Sequence, residues 1–172
     1  AEYGTGRIID LGTSYGNTIT TESPEAIVLG DIHVNHTDEQ VLKVTDLMLS
    51  DLKHKRVFIH DVFEAESVSH HIEHQTITKA KRTMTLEKEL ISVKDYLESM
   101  KKKHPYVNEW IIVRSNHDDM LDRYLQAGSY VDDSANSIMA HKIVLSKLNG
   151  TAMALKVGLE IVGLNTEKIK FL

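Results

Sequence analysis

A chain of 172 residues, 41% hydrophobic and 26% charged, is long enough to bury a core of its own and has the balance of an ordinary globular protein. A formal charge of −5 argues against a protein held on nucleic acid by bulk electrostatics, yet leaves room for a local basic groove. The absence of cysteine excludes disulfides and thiolate metal sites, while ten histidines favour cations held by nitrogen and oxygen. No apolar run reaches the length of a membrane span and no secretory pattern opens the chain, so a cytoplasmic protein without a membrane partner is expected.

Residues 1–25 hold Gly4, Gly6, Gly12 and Gly16 among Thr, Ser and Asn, which predicts an irregular lead-in or one short hairpin. Gly4-x-Gly6 lacks the preceding strand and third glycine of a dinucleotide fingerprint. The run Ala26-Ile-Val-Leu-Gly-Asp-Ile-His33 then reads as a buried strand ending at Gly30. Extended geometry would point Asp31 and His33 the same way, toward one cation. Thr37 to Gln40 has capping-box spacing and opens a helix with an apolar stripe of Val41, Val44, Met48 and Leu52. The cations of 53–56 suit its negative C-terminal end.

A second apolar run, Val57-Phe-Ile-His-Asp61, leads into Val62, Phe63 and Glu64. The segment after it carries His70, His71 and His74, which could be ligands or a histidine-rich surface turn. From about 76 to 102 a long helix is predicted, with Leu86, Leu90, Val93, Leu97 and Met100 on one face. That face suits a core or the contact of a homo-oligomer. The third run, Trp110-Ile-Ile-Val-Arg-Ser-Asn-His-Asp118, again closes on chemistry-bearing side chains. A short helix from Asp118 to Gln126 should end at Gly128, and Asp132 to Ser134 should cap another bearing Ile138, Met139, Ile143, Val144 and Leu148. A last apolar segment and a strand beginning near Lys168 complete an α/β pattern with a largely parallel sheet.

Asp31, Asp61 and Asn116 could each simply cap a helix at a strand end, but capping does not explain histidines at matching offsets in two of the blocks. The blocks Gly30-Asp31-Ile32-His33, His60-Asp61-Val62-Phe63-Glu64 and Ser115-Asn116-His117-Asp118 resemble, in order, those of the calcineurin-like metallophosphoesterases. The resemblance covers 26–125 and implies a layered sandwich in which a largely parallel sheet is flanked by helices. It implies two divalent ions, manganese favoured, held by Asp31, His33, Asp61 and Asn116, with Asp61 shared between them. His117 would act as general acid, Asp118 would orient its imidazole, and Glu64 would support the ligands from behind. His60 and Ser115 stand where the family usually has glycine, which predicts altered loop geometry.

The Asp61-Val-Phe-Glu64 block is similar to that of the SbcD-type DNA exonucleases, so a phosphodiesterase acting on DNA is the leading expectation. Lys79 to Arg82 would then be candidate backbone contacts. A small-molecule phosphodiesterase, a phosphoprotein phosphatase and a non-catalytic assembly module are the alternatives. Nothing after His117 matches the family's later His-bearing blocks. Residues 1–172 are therefore expected to form the N-terminal portion of one such domain: a lead-in over 1–25, the motif-bearing core over 26–125, and helices with the start of a strand over 126–172. The competing expectation completes the site with His70, His71 or His74.

Overall fold

Three of the apolar runs become the first three strands of one sheet. The structure, a computed structural model, describes residues 25–69, 84–147 and 153–172. In chain order these form β1 (Ile27–Leu29), α1 (Glu39–Leu52), β2 (Arg56–His60), a 3-10 turn (Glu66–Val68), α2 (Leu86–Lys103), β3 (Glu109–Val113), α3 (Asn116–Gln126), α4 (Ser137–Lys147), α5 (Ala154–Ile161) and β4 (Ile169–Phe171). The sheet runs β1-β2-β3-β4, every neighbouring pair parallel. Parallel neighbours need crossover connections, and the helices supply them.

Register sets the level of everything beyond the strands. Leu29 pairs with Ile59, and Ile59 with Ile112, so the three strands end side by side. One face of the sheet (Ile27, Leu29, Val57, Ile59, Trp110, Ile112, Ile169) is buried in a single apolar cluster with residues of α2 to α5. On the other face Val28 is 71% exposed, so edge strand β1 is covered from one side. The five stripe residues of α2 are all buried within the chain, which makes that face core. Gly158 lets α5 approach α2: a Cβ there would stand 2.9 Å from Leu90 Cδ1.

Several local expectations need correction. The long helix is described from Leu86, and its expected start near 76 lies outside the described residues. Thr85 caps it, accepting from Lys88 N. In α1 the cap is Asp38, not Thr37, because the Asp38 carboxylate accepts from Gln40 N at 2.7 Å. Its apolar stripe is only half used: Met48 and Leu52 pack half-buried against the core and Val41 and Val44 face solvent, while the fully buried residue of the helix is Leu49, outside the expected stripe. No cation occupies the last turn of α1; Lys53 instead takes the left-handed C-cap. The α3 helix starts two residues earlier than expected, at Asn116.

The helix predicted to be capped by Asp132 to Ser134 begins later, at Ser137, because Asp133 is taken into a buried polar joint. There Tyr124 Oη and Asn136 Nδ2 both donate to Asp133 Oδ2 at 3.0 Å. Asn136 also accepts from Leu86 N and donates to Ser67 O, tying α4 to α2 and to the turn after β2. Ile138 is exposed, so the inward face of α4 is Met139, Ala140 and Ile143; Leu148 lies outside the described residues. Among the described residues no helix is long and apolar enough to cross a membrane.

Candidate metal centre

Asp31 and Asp61 each lie two residues beyond the paired row Leu29–Ile59, which puts both carboxylates at the same end of the sheet. That is the end where open parallel sheets bind ligands. The route is not the extended alternation expected from sequence. The β1 strand stops at Leu29, and Asp31 (φ 50°), His33 (φ 39°) and Asp61 (φ 54°) are all left-handed. Their two loops are laced together, with His33 N donating to Asp61 O at 2.7 Å and Val34 N to Val62 O at 3.2 Å. His36 Nε2 and Glu66 Oε2, 3.1 Å apart, extend the lacing.

Two overlapping groups of ligand-type atoms result, each with its members within 4.8 Å of one another: Asp31, His33 and Asp61, and His33, Glu64 and His117. His33 belongs to both. Its Nε2 is 4.0 Å from Asp31 Oδ1, and its Nδ1 is 2.5 Å from Glu64 Oε2. Glu64 Oε2 is also 3.9 Å from His117 Nδ1, and the two imidazole centroids lie 4.9 Å apart. Short as the Glu64–His33 approach is, it lies off the hydrogen-bonding direction. The Nδ1 atoms of His33 and His117 are both buried without a hydrogen bond. Asp61 Oδ1 is likewise buried and unbonded, while Oδ2 faces His60 Nδ1 at 2.8 Å. Native interiors leave few polar atoms in this condition, and a bound cation would give such atoms a partner.

The third block arrives by a different device. Ser115 is the N-cap of α3, its hydroxyl accepting from Asp118 N while the Asp118 carboxylate accepts from Ser115 N at 2.9 Å. Ser-x-x-Asp spacing is the signal of this reciprocal capping box, and the expected helix start at Asp118 passed over it. Asp118 therefore braces the helix start, and the carboxylate beside the His117 ring is Glu64. Asn116 is exposed on the first turn of α3, next to His117. Burial pushes the Asp118 carboxyl up to about 6, with the nearby Asp61 charge adding to the effect. Neither His60 nor Ser115 has positive φ, so neither backbone position is one that glycine alone adopts readily.

Two supports were missed by sequence reasoning. Glu89 is buried in α2, and its carboxylate accepts from Glu66 N and Ser67 N, anchoring the loop that carries Glu64. It sits on the apolar side of α2, a polar residue in a core register and so a readable anomaly. Arg114, which follows β3, ion-pairs with Asp119 and Asp122 of α3 and so ties the strand end to the helix that carries His117. His70, His71, His74 and the basic stretch 79–82 lie outside the described residues.

The chain is 32% identical over 137 residues to Protein A1 of Escherichia phage T5. The match takes in 72% of this chain and 24% of that protein, so the chain spans about a quarter of the length of the curated relative it matches. No family model and no solved structure matches the chain.

Proposed function

We propose that the chain carries the centre of a metal-dependent phosphoester hydrolase of the calcineurin-like kind, with phosphodiesters of DNA as substrate and a layered sandwich as its complete fold. One observation carries the reading: Asp31, His33 and Asp61 converge at the ligand-binding end of a parallel sheet, and Asp61 keeps a buried oxygen unbonded. The donors fit the group. Carboxylate oxygen with imidazole nitrogen, and no thiolate, suits manganese. Asp31 and His33 would hold one ion, Asn116 a second, and Asp61 would be shared. When bound, such ions supply an attacking water acidified to near neutrality and positive charge for the phosphoryl oxygens.

The remaining chemistry falls to the chain's own side chains. In the imidazolium form of His117, Nδ1–H would face Glu64 and Nε2–H would be the proton that passes to the leaving oxygen. Glu89 holds the Glu64 loop, and the Ser115–Asp118 box holds the turn that presents His117.

The test is hydrolysis of single-stranded DNA and of an aryl phosphodiester with manganese, before and after Asp61→Asn. Manganese-dependent cleavage that is lost in the variant, together with a weakened manganese affinity, is the expected result. Cleavage that survives the substitution, or manganese binding without cleavage of either substrate, overturns the reading.

A further inference from the structure

The second group of ligand-type atoms has a different chemical character from the first. Asp31, His33 and Asp61 offer two carboxylates and one imidazole, whereas His33, Glu64 and His117 offer two imidazoles and one carboxylate. The latter is the donor set of open zinc sites with two histidines and one glutamate. Tetrahedral zinc at ~2.1 Å from its ligands would separate the ligand atoms by about 3.4 Å. The observed separations from Glu64 Oε2, 2.5 Å to His33 Nδ1 and 3.9 Å to His117 Nδ1, bracket that value. Both Nδ1 atoms are buried, face the same carboxylate and make no hydrogen bond.

A neutral imidazole has one lone pair, so His33 can ligate through Nε2 or through Nδ1 but not both. Nε2 is the nitrogen that approaches Asp31, and Nδ1 is the one that approaches Glu64. The two cation positions are therefore exclusive at His33, and the choice of tautomer is the choice of site. Nitrogen-rich donors favour zinc and oxygen-rich donors favour manganese.

We propose that His33, Glu64 and His117 form a second cation site, selective for zinc, which competes with the Asp31–His33–Asp61 position and regulates it. Zinc there withdraws His33 from the carboxylate pair and puts His117 Nδ1, with Glu64, into coordination. The inhibition this implies rests on the hydrolase reading given above; the binding does not.

Calorimetric titration of the chain with zinc and, separately, manganese tests the proposal in the native sequence and in Asp61→Asn, Glu64→Gln and His117→Ala. Substitution of groups merely supporting a ligand already costs about 10–100-fold in affinity, so removal of a ligand should cost at least about tenfold. Zinc affinity should fall by that much in Glu64→Gln and His117→Ala and stay within about threefold in Asp61→Asn. Manganese affinity should show the reverse ranking.

Zinc X-ray absorption on the native chain gives a second measurement that needs no variant: two imidazoles and one carboxylate are expected around the ion. Zinc affinity that tracks Asp61 would assign zinc to the carboxylate-rich position and overturn the proposal. Zinc affinity equal in all four proteins would mean adventitious histidine binding and overturn it too, as would a shell with a single imidazole. If zinc binds as expected while the native chain hydrolyses no phosphodiester, the site stands and the hydrolase reading falls.

Discussion

Replacing Asp118 with Asn should make the protein more stable at alkaline pH and remove a pH dependence that the native chain carries. Asp118 is 3% exposed, and burial raises its carboxyl from 3.8 to about 6. A carboxyl raised on folding binds its proton more tightly in the native state. Stability is therefore greatest below the unfolded value and declines as pH rises from 3.8 toward 6, after which the loss is complete. A gap of about two units at ~1.4 kcal/mol each amounts to about 3 kcal/mol.

The amide introduced by Asp118→Asn would still accept from Ser115 N, at the expense of exchanging a charged acceptor for a neutral one, about 1 kcal/mol. The net expectation is a variant about 2 kcal/mol more stable than the native chain at pH 8, with the advantage vanishing or reversing near pH 4. Urea unfolding of both proteins across that range, in a chelating buffer, measures the difference directly. Other carboxylates cancel in the subtraction. A difference that is flat with pH, or a variant less stable at pH 8, would refute the buried-carboxyl account of Asp118.

Other substitutions probe separate parts of the structure. Leu90→Ala, at a fully buried position whose methyl groups pack on Gly158, should cost about 2–5 kcal/mol in denaturant unfolding, since no side chain at 158 can fill the cavity. Asp46→Ala removes the partner of buried His104 Nε2 (2.9 Å) and of Lys103, and should cost about 1–3 kcal/mol in the same measurement. His117→Ala should slow phosphodiester turnover by roughly 10²–10⁴-fold in a steady-state assay while leaving manganese affinity within about threefold.

The strands and the order of the three blocks were legible because apolar runs ending in polar residues have few alternatives in an α/β chain. Helix starts were less so. Thr37 and Asp38 both offer a capping oxygen, and Asp38 is the one whose carboxylate reaches Gln40 N. In α1 the period shows which residues lie on one face, but not how much of that face the sheet will cover. Val41 and Val44 consequently project beyond the core that takes Leu49. Asp133 reads as part of a helix cap, and only tertiary packing turns it, with Asn136, into a joint between α2, α3 and α4.

The helix caps bear on one of the two explanations that the sequence left for Asp31, Asp61 and Asn116: none of the three is the N-cap of a helix. Asp38 caps α1, Ser115 caps α3, and the 3-10 turn after β2 has Ala65 at its N-cap with no side-chain bond. Asp31, His33 and Asp61 also adopt positive φ, a conformation in which Asp and His are tolerated but glycine is preferred. Such positions cost on the order of 1–3 kcal/mol each. A chain folding for stability alone would place glycine there and lose little, since Asp31 is 88% exposed and Asp61 leaves an oxygen unbonded. The same two loops also hold positive φ at Asn35 and Ala65, so what sets Asp31, His33 and Asp61 apart is the convergence of their side chains, on which the proposed cation site rests.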